Sequence, residues 1–253
     1  MLEDIVEITE QAGRIALGRC GTDYKRWEKE PGHPVCEIDL EVDNFLREQL
    51  IALDPEAGWL SEETADESDR IERKRVWVVD PIDGTRDYLR GRTGWAVSVA
   101  LVENRAVKYG VLSAPQREEL WTAELDRGAW RNGDPIRCSQ RSELVGARVP
   151  ADSLPKVDRD LVMVAKPNSI ALRIAMVAAG EADLLATLRW GREWDIAAAI
   201  LIASEAGATV TGALGQPLTF NSPDAAAFGV LASSPGIHEA AIERLRERAM
   251  AVV

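Results

Sequence analysis

Asp80 and Asp83 stand at the end of an apolar run in the stretch "RVWVVDPIDGTRDYLRG", with Gly84 and Thr85 directly after them. A single Asp after a strand reads as a turn residue or a helix cap. The pair reads differently. Pro81 fixes φ between the two acids, and Gly84 allows the backbone to come close to a ligand. If Gly84 and Thr85 open a helix, their amides point at the same place and suit an anion. Two carboxylates beside an anion-binding turn make sense with hard divalent cations between them. Magnesium takes oxygen ligands at about 2.0–2.1 Å and bridges carboxylates to phosphate. Further acids suit such a site: Glu62 and Glu63 in "WLSEET", and Asp195 in "REWDIAAAILIASEAG". Asp195 by itself reads as an N-cap, and a cap needs only one carboxylate oxygen, so both roles are open to it.

Composition narrows the chemistry. The net charge of −12 argues against nucleic-acid and anionic-membrane partners. It also means that an anionic substrate needs local positive charge, which a bound cation supplies. The two histidines, His33 and His238, make histidine catalysis a poor expectation. Cys20, Cys36 and Cys138 have no metal-ligand spacing and suit a reducing cytoplasm. The acidic, amphipathic first residues are unlike a signal peptide, and no apolar run approaches the roughly 20 residues of a membrane span. A phospho-aspartate nucleophile is rejected, because two residues, not one, separate Asp80 from Asp83.

The elements that must hold these residues follow from periodicity. Residues 2–19 carry an apolar helical stripe stopped by Gly21. The polar stretch "KRWEKEPGHPVCEI" reads as a loop, ending at Asp39 as the N-cap of a second helix. From Val76 to about Cys138, short β-rich runs separated by Glu103-Asn104 and Arg131-Asn132-Gly133 predict an antiparallel meander. Residues 141–158 read as a linker. Beyond it, strands alternate with helices near 170–180, 195–206 and 236–249, which predicts a second α/β layer. The expected division is residues 1–145, α+β with the antiparallel sheet and most of the acids, and 146–253, α/β and contributing Asp195.

"WVVDPIDGTRDYLRG", "LSEET" and "EWDIAAAILIASEAGATV" together resemble the inositol monophosphatase family of magnesium-dependent, lithium-sensitive phosphomonoesterases, in order and over nearly the whole chain. The resemblance implies a layered α-β-α-β-α sandwich, a homodimer, and two or three magnesium ions held by Glu62, Asp80, the Ile82 carbonyl, Asp83 and Asp195. Thr85, with Glu62, would position and deprotonate the attacking water. The Gly84 and Thr85 amides would hold phosphate, with Asp195 also at the substrate. Asp39 falls where the family has an acid near an outer metal, although Cys36 stands where the family usually has threonine. Glu63 would support the site from outside.

For the substrate, Leu188 or Arg189 occupies the place of the sugar-gripping acid of the inositol enzymes. "SIALRIAMVAAG" and "LRWG" are closer to the 3'(2'),5'-bisphosphate nucleotidases, and Arg173 and Arg189 would pair with a second phosphate. Trp190 and Trp194 either stack on an adenine or pack helix against sheet. The expected reaction is therefore adenosine 3',5'-bisphosphate to AMP. Inositol-1-phosphate or another sugar phosphate is the alternative, and a non-catalytic metal-binding relative a remote third.

Overall fold

The computed structural model describes residues 1–30, 33–64 and 68–252, with the side chains of residues 29, 30 and 33, and so that of His33, outside the description. Helix α1 (Leu2–Arg19) buries Ile5, Ala12 and Ala16 along the expected stripe. The stretch read as a polar loop instead carries two strands, β1 (Arg26–Glu30) and β2 (His33–Cys36), paired antiparallel with Trp27 opposite Val35. Backbone pairing holds this hairpin, and its side chains show no apolar alternation that could announce it. Helix α2 (Glu37–Leu53) follows and packs on α1.

The main sheet is built from β3 (Gly58–Ser61), β4 (Arg75–Asp83), β5 (Ala96–Glu103), β6 (Ala106–Ala114), β7 (Glu119–Glu124), β8 (Gly128–Arg131) and β9 (Asp134–Pro135), in that spatial order. A 3₁₀ turn, Ser68–Glu72, precedes β4, and the one-turn helix α3 (Thr85–Tyr88) follows it. Only β3–β4 is parallel; the remainder is the expected meander. Its turns use positive φ at Asn104, Asn132 and Gly133.

The presumed linker is not all loop. β10 (Arg148–Pro150) lies in it and pairs in parallel with β11 (Val162–Val164). Three residues are too few to show a period. Then come α4 (Ile170–Ala178), β12 (Leu184–Arg192), α5 (Glu193–Glu205), β13 (Thr209–Thr211), β14 (Ala226–Ser233) and α6 (His238–Met250). The second sheet has the order β12-β14-β13 and is antiparallel throughout.

Side-chain packing gives the layering. Trp77, Val79, Val97 and Val99 face α1 and α2. Val76, Val78, Ala96 and Ala100 face α4 and α5, whose other side meets Leu185, Val230 and Ala232 of the second sheet. Leu184 and Leu231 close on Ile237, Ala241 and Leu245 at α6. The result is the α-β-α-β-α sandwich. α5 is apolar nearly all round because it lies between two sheets, and each large aliphatic side chain buried there contributes about 1.5–3 kcal/mol.

Candidate active site

Residues three apart on a regular strand face opposite sides of the sheet, yet Asp80 and Asp83 share one. Asp80 lies opposite Ser98 and Asp83 opposite Ala96, so three steps along β4 match two along β5. The extra residue is a bulge at Pro81–Ile82 that returns Asp83 to the face of Asp80, while Ile82 packs toward α1 and α2. Proline suits a bulge because it has no N–H to give to the ladder. Gly84 then caps α3 at φ 96°, as expected of a glycine there.

That face lies at the start of α4. The Asp83 carboxylate accepts from Ser169 Oγ at 2.5 Å and from the Ala171 and Ile170 N–H groups at 2.7 and 3.3 Å. A strand residue thus caps a helix from another part of the chain, and Ser169 also accepts from the Leu172 N–H at 2.9 Å. Asp80 accepts from the Ile82 N–H at 3.0 Å. Glu62 enters directly after β3, its N–H donating to the Val79 carbonyl at 3.3 Å.

Asp39 and Asp195 are not the N-caps that the sequence suggests. The caps are Cys36 and Arg192, and each aspartate sits three residues further on. Asp39 accepts from the Cys36 N–H at 2.8 Å, and Asp195 from the Arg192 N–H at 3.4 Å. An acid before an apolar run satisfies either position; only the backbone distinguishes them. The other Asp39 oxygen lies 3.4 Å from Thr85 Oγ1, which also donates to the Ile82 carbonyl at 3.0 Å. The Cys36 thiol is pushed up to about 12 by burial and by Asp39, so it remains neutral.

These acids repel one another. Burial raises the Asp80 carboxyl pKa well above its ordinary value, and Glu62, Asp83, Asp195 and Asp39 raise it further. Asp195 is pushed up to about 7 by burial and by Asp83. Asp83 is raised by burial, against the pull of its three hydrogen bonds. Among the described residues Asp80, Asp83 and Asp195 make no salt bridge, and buried carboxylates without a cationic partner are the hard oxygen set that suits magnesium. No three acidic, histidine or cysteine groups among the described residues are drawn close enough to enclose an ion. Each of the four aspartates has turned an oxygen to a backbone N–H instead.

Asp43 belongs to this site and was missed. It is buried one turn beyond Asp39, and it accepts from both Ser61 Oγ and Thr64 Oγ1, the residues that flank Glu62 and Glu63. The signal was present: Asp39 and Asp43 are spaced i, i+4 on one helix face.

The arginines separate in role. Arg173, in the first turn of α4, reaches back to the turn before the helix, donating to the Pro167 carbonyl at 2.7 Å and to that of Asn168. Arg189 lines a small cleft of ≈ 20 Å³ together with Asp195, Ile170, Thr187 and Gly191. It is exposed and makes no ion pair among the described residues. A register shift in β12 between Thr187 and Trp190 places it there, opposite the turned backbone of Gly229. Trp190 does not line the cleft; its ring meets Phe228 edge-on at 5.6 Å. Trp194, the second residue of α5, is partly buried against the core.

The chain resembles known proteins over nearly all of its length. The model of the inositol monophosphatase family matches residues 1–250. A fructose-1,6-bisphosphatase/inositol-1-monophosphatase of Thermotoga maritima is 34% identical over 199 residues, 75% of this chain and 76% of that one. The 3'(2'),5'-bisphosphate nucleotidase CysQ of Aggregatibacter actinomycetemcomitans is 30% identical over 243 residues, 87% of each. Among solved structures, an IMPase of Thermotoga maritima superposes with a TM-score of 0.85 at 28% identity, covering 98% of this chain and 97% of that one. The bulged acidic strand thus sits in a chain that belongs, by fold and by sequence, to the inositol monophosphatase family of phosphoric monoester hydrolases.

Proposed function

We propose that this chain is a magnesium-dependent phosphomonoesterase that removes a phosphate from 3'(2'),5'-bisphosphate nucleotides, releasing AMP from adenosine 3',5'-bisphosphate. Glu62, Asp80, the Ile82 carbonyl, Asp83 and Asp195 would hold two or three ions, with Asp39 toward an outer one. When bound, magnesium neutralises phosphate charge and makes water more acidic. The rest falls to the protein. Thr85 directs its hydroxyl proton to the Ile82 carbonyl or Asp39, so its lone pairs face outward and orient the attacking water. Glu62 accepts the water's proton. The amides of Gly84 and Thr85 hold the phosphate, and Asp195 reaches the substrate from its cleft. Phosphoryl transfer needs this positioning more than covalent help.

The observation that supports the substrate is Arg189, a guanidinium without an ion pair among the described residues, at the rim of the cleft that Asp195 lines. A second phosphate is its natural partner. Arg173, held by the Pro167 and Asn168 carbonyls, is not among the residues that line this cleft, so the second phosphate falls to Arg189. Inositol-1-phosphate or another sugar phosphate is the second reading, since a 34%-identical relative is named for such substrates. As further expectations, the enzyme is cytoplasmic and homodimeric, and millimolar lithium inhibits it.

The test is phosphate release in magnesium, with adenosine 3',5'-bisphosphate and inositol-1-phosphate side by side. Preference for the nucleotide, lost in Arg189→Ala, supports the reading. Preference for inositol-1-phosphate, unchanged by that substitution, overturns the substrate assignment and leaves the phosphatase. No turnover of any phosphomonoester would favour the non-catalytic relative.

A further inference from the structure

Behind the acids lies a buried polar network that the reaction does not use. Arg70 is wholly buried in the 3₁₀ turn before β4. Its guanidinium donates to Asn221 Oδ1 at 2.6 Å and to the Ser222 carbonyl at 3.0 Å. Asn221 Nδ2 donates back to the Arg70 carbonyl at 3.0 Å. Glu193, also wholly buried, holds the same turn from another direction. It accepts from the Asn221 N–H at 2.6 Å, the Ser222 N–H at 2.9 Å and Ser222 Oγ at 2.5 Å.

One end of this network lies in the helical turn that carries Asp195, and the other lies at the start of β3, four residues before Glu62. A Cβ on Gly58 would come within 2.8 Å of the Arg70 Cβ, so Arg70 lies directly against β3, the strand that leads into Glu62. Glu193 is the first residue of α5, and Asp195 stands in the same helical turn. Apolar packing already holds the body of α5 between the sheets. Apolar packing does not fix the rotation of a helix's first turn, whereas directional hydrogen bonds do. Buried ion-bearing networks are also poor net stabilisers compared with apolar side chains of equal volume, which makes stability alone a weak reason for this one.

We propose that Arg70, Asn221, Ser222 and Glu193 form a positioning clamp that fixes the first turn of α5, and with it the Asp195 carboxylate, relative to β3. The clamp thereby sets the affinity for a divalent cation shared by Asp195 and the Glu62, Asp80 and Asp83 group. It rests on reading those acids as a cation site.

The experiment titrates the metal-free full chain with magnesium by calorimetry, for wild type, Arg70→Met, Glu193→Gln and the double variant. Arg148→Met, which breaks the separate ion pair with Asp183, is the comparison. The clamp variants should bind magnesium about tenfold or more weakly, as when residues that orient metal ligands are altered. The double variant should be no worse than the weaker single, because both break one unit. Arg148→Met should lose thermal stability and bind as wild type. Clamp variants that melt earlier yet bind as wild type overturn the clamp and leave a structural network. Arg70→Lys, which keeps the charge and loses the paired donors, gives the same comparison if Arg70→Met does not fold. A wild type that takes up no magnesium overturns the cation site itself, and the clamp with it.

Discussion

A methyl group at position 84 would meet the Gly94 carbonyl at 2.6 Å and the Ser169 amide nitrogen at 2.9 Å, on a backbone whose φ of 96° already resists any side chain. Gly84→Ala should therefore cost about 2–4 kcal/mol, the sum of a left-handed penalty and overpacking, read as a fall in Tm. Thr85→Ala removes a hydroxyl that bonds Ile82 and Asp39 but reaches no core. It should leave magnesium affinity within about twofold and lower kcat by about 100-fold or more; normal turnover would remove Thr85 from the mechanism. The sequence made these residues legible because glycine, proline and paired acids each carry a local meaning. It hid Arg70, which looks like any other arginine in "DRIERKR". Its burial depends on Asn221, 151 residues away, and no local pattern reports so distant a partner.

At the scale of elements, helix and strand periods were readable and the deviations from them were not. The bulge in β4 exists only by reference to the register of β5, and the one in β12 only by reference to β14. The misplaced caps at Asp39 and Asp195 have the same origin, since both helices start three residues earlier than caps at those acids would give. The join between β10 and β12 can be tested through pH. Burial acts to raise the Asp183 pKa, but bonds from Arg148 and Ser139 outweigh it and hold the carboxyl at about 2. The unfolded value is about 3.9. A depressed folded pKa gives stability that is present above about pH 4 and lost as pH falls through about 2, worth about 2 kcal/mol. Asp183→Asn should accordingly melt earlier than wild type at pH 6, with the gap closing toward pH 2. A constant gap across that range would show that Asp183 acts by packing alone.

For the whole molecule, charge is the governing quantity. A chain of net charge −12 brings Asp39, Glu62, Asp83 and Asp195 near enough to Asp80 to raise its carboxyl pKa. Magnesium at millimolar concentration should raise the Tm of the metal-free protein by several degrees, the mass-action effect of a ligand that binds only the folded state. Sodium at equal ionic strength should not; equal effects would reduce the cleft to general screening. The order of helices and strands made an antiparallel meander and a second α/β layer legible, while the full sandwich followed from the family resemblance. The acids also differ in when they are made. Asp195 leaves the ribosome 112 residues after Asp83, a delay of about 6–20 s at ordinary rates of synthesis. Throughout that interval the emerging chain carries four of its five acids without the helix that completes the set, so the last charge to be translated is the one that closes the pocket.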